Sequence, residues 1–279
     1  MTDDHLDYQR TFYDQHFAKR EAAVREQLAH PLFRSFNDRV AARVLDVGLP
    51  AGRPERTVRI FEPGCGDGLL GSALGRAAAS RGLDLAYTGS DLSQAALELA
   101  ATVVSGDFRV GDGTQVLDAL PRHSQDIVVA KNLLHHLDDP AGFLRAAGRA
   151  LVPGGRVIAF EPLIGCPQFL LFNLLAAKRE RHYFKGQRRN RAAFEQAGFA
   201  GATCERFSWL PYELAFVIRP NVFRRLFSTE NPATIRRVSD LDDRLTAKVP
   251  WLACYAVWVG TAAEAAGSGS AGMNGSNRM

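Results

Sequence analysis

The sequence predicts an α/β protein built on a doubly wound parallel sheet. Three observations carry that reading. Short apolar or β-branched runs alternate with Ala-rich amphipathic stretches between residues 58 and 160, the rhythm of repeated strand–helix–strand units. The run Asp126-Ile127-Val128-Val129-Ala130 is apolar on both faces, as a central parallel strand covered on both sides must be. Glycines and acidic residues recur just after these runs, where strands of such a sheet hand over to helices and where ligands bind.

Taken in order, residues 1–46 read as helices. Phe17 to Leu28 is rich in Ala, Glu and Arg, Pro31 interrupts, and Phe33 to Leu45 is amphipathic. Leu49 to Arg56, with two prolines and a glycine, is a loop. Val58–Phe61 is the first strand and Leu69–Arg81 a helix. Leu85–Thr88 is the second strand, followed by a helix over Ser93–Val104 that Asp91 or Ser93 can cap. Phe108–Val110 is the third strand and Asp126–Ala130 the fourth. Pro140–Leu151 is helical, Gly154-Gly155 turns the chain, and Arg156–Phe160 is the fifth strand. After Glu161 the rhythm breaks. Leu163–Lys178 reads as an apolar helix or lid, and a basic stretch runs from Lys178 to Arg191. Ala192–Ala197 is helical and ends at Gly198. Ala202–Trp209 is a sixth strand, Trp251–Val259 a seventh, and a largely helical insert lies between them. The organisation is thus an N-terminal helical cap over 1–50, a main domain over 55–260 with cap insertions near 163–190 and 211–248, and a Gly/Ser-rich flexible tail over 262–279.

Composition narrows the function classes. The chain of 279 residues is 46% hydrophobic and 9% aromatic, which excludes wholesale disorder. Its net charge of +4, from 34 basic and 30 acidic residues, is too mild for a nucleic-acid binder. No apolar run reaches the roughly 20 residues that span a bilayer, so stable membrane insertion is not expected. The opening Met-Thr-Asp-Asp lacks the basic and apolar regions of a secretory signal. Cys65, Cys166, Cys204 and Cys254 form no C-x-x-C pair, which points to reduced thiols rather than zinc ligands. A cytoplasmic protein is the expectation, and a homo-oligomer is left open.

The chemistry lies in four segments at strand ends. In Glu62-Pro63-Gly64-Cys65-Gly66-Asp67-Gly68-Leu69-Leu70-Gly71 a strand ends in a carboxylate, runs through alternating glycines and enters a helix. Bare backbone allows a tight turn and close approach of a ligand, and the helix start offers unpaired N–H groups. Gly66, Gly68 and Gly71 also satisfy G-x-G-x-x-G, which keeps a dinucleotide reading open. In Gly89-Ser90-Asp91-Leu92-Ser93 the carboxylate of Asp91 is placed to accept from a ribose diol. Gly111-Asp112-Gly113 follows the third strand, and its carboxylate could accept from an adenine amino group. Lys131-Asn132-Leu133-Leu134-His135-His136-Leu137-Asp138-Asp139-Pro140 follows the fourth.

Together these motifs resemble the class I S-adenosylmethionine-dependent methyltransferases, within the small-molecule group that carries a fourth-strand L-H-H-L-x-D-P segment. The resemblance covers about residues 55–162. It implies a Rossmann-like seven-stranded sheet in the order 3-2-1-4-5-7-6 with the last strand antiparallel, and S-adenosyl-L-methionine across the carboxyl ends of the strands. By that match Glu62, Gly64, Cys65, Gly66 and Gly68 lie by the methionine and ribose portion. Asp91, with Leu92 beside it, takes the ribose hydroxyls. Asp112, flanked by Gly111 and Gly113, meets the adenine, and Asn132 and Leu133 line the floor. Asp138 and Asp139 cap the helix at Pro140 rather than forming the metal set of catechol-type enzymes, so no metal is expected.

Methyl transfer requires in-line alignment of nucleophile, methyl carbon and sulfur, and an oxygen nucleophile gains from a base. His136, or failing that His135, is the candidate base, with Glu161 at the neighbouring strand mouth orienting the imidazole. Tyr13, in a segment that could fold over the cofactor, and Phe169, Phe172 and Tyr183, from the apolar and basic stretches, are candidate substrate contacts. The reading is methylation of a small molecule at oxygen: a natural product, a lipid-linked compound or a sugar. An NAD(P)-dependent oxidoreductase, a macromolecule methyltransferase and a non-catalytic cofactor binder are the alternatives.

Overall fold

The computed structural model describes residues 10, 11, 13–15, 30–49, 57–163, 166–167, 187–199, 201–210 and 230–263. The helix expected over Phe17–Leu28, most of the apolar stretch after Leu163 and of the basic stretch, and nearly all of the C-terminal tail lie outside those residues. So do Phe169, Phe172 and Tyr183.

Helix α1 (Pro31–Gly48) begins at the proline itself. A fixed φ suits the first helical position, where no N–H is needed, and the His30 ring accepts from the Phe33 N–H. Strands β1 (Thr57–Pro63), β2 (Asp84–Asp91), β3 (Asp107–Val110), β4 (Gln125–Lys131), β5 (Leu151–Pro162), β6 (Thr203–Phe207) and β7 (Tyr255–Thr261) form one sheet in the order β3-β2-β1-β4-β5-β7-β6. β7 runs antiparallel between β5 and β6. Helices α2 (Leu69–Ser80), α3 (Gln94–Val103), α4 (Gly113–Ala119), α5 (Pro140–Ala150), α6 (Gln187–Gln196) and α7 (Pro232–Lys248) complete the described elements. The fold is the Rossmann-like arrangement expected.

Alternation along the strands divides the core into two layers. Val58, Ile60, Ile127, Val129, Ile158, Phe160 and Val257 pack on α1 and α2 through Leu32, Phe36, Val40, Val44 and Leu74. Val128, Ala130, Val157, Ala159, Ala256 and Trp258 pack on α5 and α6 through Phe143, Leu144, Ala147 and Phe194. The second half of the expected N-terminal cap is therefore a layer of the core, with Val40, Ala41 and Val44 fully buried.

Three elements differ from the sequence reading. Helix α4 was not foreseen; Asp112 caps it, accepting from the N–H groups of Thr114 and Gln115. Gly154-Gly155 does not precede the fifth strand but sits within it. Gln125 pairs Leu151 and Ile127 pairs Arg156, so residues 152–155 bulge out, with Gly154 at positive φ. Trp251 belongs to a 3-10 turn (Pro250–Leu252) ahead of β7 and is 69% exposed; Pro250 lacks the ladder donor and starts a turn instead. Among the described residues no helix is long and apolar enough to cross a membrane.

One buried carboxylate ties the last third of the chain to α1. Asp242 on α7 accepts from the N–H groups of Trp209 and Leu210 at 2.7 and 2.9 Å and from Ser208 Oγ at 2.8 Å. Arg39 of α1 donates to it at 2.7 Å. Replacing Asp242 by Ala leaves the buried Ser208 hydroxyl and two part-buried backbone N–H groups without their acceptor. We expect a loss of about 3 kcal/mol in a urea denaturation experiment, moderated because Arg39 also pairs with Asp243.

Candidate active site

The loop that leaves β1 carries Gly64, Gly66 and Gly68, all at positive φ. Gly68 is fixed twice over: its φ is +75°, and a Cβ there would lie 2.9 Å from the Ala100 Cα on α3. Gly71, the third glycine of the dinucleotide pattern, has a different reason. It lies in α2 against the Tyr87 ring, which a Cβ would meet at 2.7 Å, so packing accounts for it. The loop is pinned to the end of β2. Cys65 N–H donates to the Ser90 carbonyl at 2.9 Å, and Gly66 N–H donates to Asp91 Oδ2 at 3.0 Å. The other oxygen of Asp91 accepts from Ser93 N–H at 2.9 Å. Helix α2 begins at Gly68 with no side-chain cap, so its first N–H groups rely on other acceptors.

Burial shifts the acids here. It raises Glu62 to about 8, although the hydrogen bond from Tyr87 opposes the rise. The Tyr87 hydroxyl donates to Glu62 Oε2 at 2.7 Å. Burial also raises Asp91, against the backbone N–H groups that stabilise its charge. Tyr87 was not singled out from the sequence; one aromatic within a strand carries no signal of its partner. Cys65 is buried and its thiol is pushed up by burial. Leu92 follows Asp91 half-buried, and Gly111 N–H donates to the Asp91 carbonyl at 2.9 Å. Asp112 Oδ1 is engaged in capping α4, which starts at Gly113; any contact to an adenine falls to the other oxygen.

The fourth segment is organised by Glu161 at the end of β5. Its Oε1 accepts from the N–H groups of Leu133 and Leu134 at 3.0 and 2.8 Å. Its Oε2 accepts from the His135 N–H at 3.3 Å and lies 2.7 Å from His135 Nδ1. Asn132 begins this turn at φ +54°, a conformation Asn tolerates better than most residues, and donates its N–H to the Phe160 carbonyl. Of the two histidines expected to pair with Glu161, the carboxylate holds the second choice, His135, and not His136. The turn that closes on Glu161 brings the first histidine inward, and both members of the pair are buried. His136 is half-buried, its ring centroid 4.2 Å from that of His135. Tyr13 meets His136 edge-on at 6.5 Å, while Asp14 accepts from Ser93 Oγ at 2.6 Å. Residues 13 and 14 thus reach both the β4 and the β2 mouths, on either side of the glycine loop. Among the described residues no group of three or more His, Cys, Asp or Glu is placed to hold a metal ion.

Known proteins resemble this chain in sequence and in fold. A family model for a methyltransferase domain matches residues 61–159. The ubiquinone biosynthesis O-methyltransferase of Pseudomonas paraeruginosa is 30% identical over 169 residues, covering 57% of this chain and 68% of that protein. The protein of the same name from Alkalilimnicola ehrlichii is 34% identical over 124 residues, covering 43% of this chain and 47% of its own length. Among solved structures, phosphoethanolamine N-methyltransferase 2 of Haemonchus contortus bound to S-adenosyl-L-methionine shares the fold. Its TM-score is 0.53 at 19% identity, over 81% of this chain and 53% of that one. A SAM-dependent methyltransferase of Thermotoga maritima gives 0.54 at 16% identity, over 87% and 97%.

The Glu62 environment has a pH signature. The folded protein holds that proton up to about pH 8 while the unfolded chain releases it near its ordinary value of 4.5. Stability from this group is present below 4.5 and is lost as pH rises through 8. Glu62→Gln keeps the acceptor for Tyr87 and cannot ionise. Its melting temperature without cofactor, measured from pH 5 to pH 9, should gain steadily on wild type up to about pH 8 and hold that lead above it.

Proposed function

This chain belongs to the class I S-adenosylmethionine-dependent methyltransferases, and from that premise we propose that it methylates a hydroxyl oxygen of a small molecule with His135 as the base. The residues present fit the cofactor. The bare backbone at Gly64, Gly66 and Gly68 and the Asp91 carboxylate at the mouth of β2 form a cradle in which side chains would obstruct a nucleoside. Gly64 is exposed, and Asp91 has lone pairs beyond those its backbone donors use. When bound, S-adenosylmethionine supplies an electrophilic methyl group on a sulfonium that leaves without protonation.

What the chain must add is alignment and deprotonation. Glu161 fixes the turn at Leu133–His135 through three backbone N–H groups, so the histidine backbone is set before substrate arrives. With Nδ1–H donating to Glu161 Oε2, the basic lone pair of His135 is on Nε2. The carboxylate then stabilises the imidazolium formed when that nitrogen takes a hydroxyl proton. The buried His135–Glu161 pair at 2.7 Å is the observation that carries this reading. In this reading His136 and Tyr13, which meet edge-on, serve as walls of the acceptor site rather than as its base. The ubiquinone biosynthesis O-methyltransferases among the relatives support oxygen as the methylated atom. The dinucleotide alternative loses support because Gly71 is explained by Tyr87. All four cysteines are free thiols, which supports a reducing, cytoplasmic setting.

Two measurements check the proposal. S-adenosylhomocysteine should raise the melting temperature and NAD should not. His135→Asn should lower kcat by roughly 100-fold or more, with S-adenosylhomocysteine affinity retained and the activity of His136→Asn much nearer wild type. A labelled methyl group recovered on nitrogen or carbon, or full turnover in His135→Asn, overturns it.

A further inference from the structure

Among the described residues, Arg189 is a cation without a counter-ion, and it stands beside the proposed acceptor site. Helix α6 packs on the β5–β7 side of the sheet. β6, which it precedes, runs antiparallel to β7 and hence parallel to β5. The helix therefore descends from the carboxyl edge, and its first turn, with Arg189, lies at that edge. Arg189 Nη2 donates to the carbonyls of Leu137 at 2.6 Å and Asp138 at 2.8 Å, immediately after the two histidines. Those bonds immobilise the guanidinium. Its second terminal nitrogen, Nη1, is buried and has no hydrogen-bond partner among the described residues.

The nearby acids do not answer this need. Asp138, Asp139 and Glu161 act on Arg189 through their charges, yet among the described residues no carboxylate comes within ion-pairing distance of it. Both oxygens of Glu161 are taken by the Leu133–His135 turn, and Asp139 caps α5 through the Gly142 N–H. Arginine cannot shed its proton in response. A desolvated guanidinium edge with unmet donors is costly unless something accepts from it, and an oxyanion does so best. The rotamer entropy is already spent on the two carbonyls, which favours binding there.

We propose that Arg189 is a specificity-determining residue that receives an oxyanionic substituent of the methyl acceptor, so that the acceptor is a hydroxylated compound bearing a carboxylate or phosphate. The inference rests on the small-molecule O-methylation reading for what the anion belongs to, and on Arg189 itself for its charge. Equilibrium binding separates the two. Calorimetry on the full chain saturated with S-adenosylhomocysteine would compare 3,4-dihydroxybenzoate with catechol. Wild type should bind the benzoate at least tenfold more tightly. In Arg189→Gln that preference should vanish, while the affinities for catechol and for S-adenosylhomocysteine stay unchanged. Acetate and inorganic phosphate, titrated as competitors, tell a carboxylate from a phosphate as the natural group.

Equal affinity of wild type for the two compounds, including no binding of either, overturns the proposal. So does a preference that survives in Arg189→Gln. A parallel fall in catechol affinity also overturns it, because Arg189 would then only brace the histidine turn. Methylation of catechol without an anion preference leaves O-methylation standing and removes the Arg189 role. An anion preference lost in Arg189→Gln, with no methyl reaching oxygen, does the reverse.

Discussion

The carboxylate of Glu161 is the interaction on which the candidate site depends. It is buried at the end of β5, where an ionised group must be compensated. The compensation comes from three consecutive backbone N–H groups and one imidazole, all from the segment that leaves β4. That segment has no ladder partner left, so the carboxylate supplies the acceptors its backbone requires. One side chain thereby sets the turn, the positive φ of Asn132 at its start and the inward direction of His135.

Asp91 solves the same problem at the other side of the crevice. It accepts from Gly66 and Ser93 and so holds the glycine loop against β2. The loop holds itself poorly: Gly64, Gly66 and Gly68 have no side chains to pack, and their left-handed conformations are unfavourable for other residues. Glu62 lies between these two acids and meets a different donor. Its partner is the Tyr87 hydroxyl, a donor that satisfies a neutral carboxyl as well as an ionised one, and burial accordingly drives it toward the protonated form. Three acids at one sheet edge thus have distinct roles, decided by whether backbone N–H groups or a phenol faces them. Arg189 places positive charge at the far side of the same edge.

The rest of the sheet keeps this edge rigid. α1 and α2 cover one face and α5 and α6 the other, so the strand ends move only if the core repacks. Asp242 secures the chain leaving β6, which pairs with β7, to α7 and α1. That matters for the site because β7 pairs along β5 up to Pro162 and holds Glu161 opposite Ala256.

Sequence alone determined the features that repeat or cluster locally. Strand–helix alternation, the two-sided apolar strand, the glycine loop and the acids after each strand were legible because each is a pattern within a few neighbouring residues, and the family likeness of those motifs brought the strand order with it. The sequence also put Glu161 and the histidines at adjacent strand mouths. Tertiary structure alone decided which histidine faces the carboxylate, that Tyr87 meets Glu62, that Asp112 caps a helix, and that Arg189 of α6 reaches Leu137 and Asp138. Those contacts join residues far apart in the chain or turn on a single backbone rotation. Their geometry follows from how helices seat on the sheet, which no local periodicity encodes.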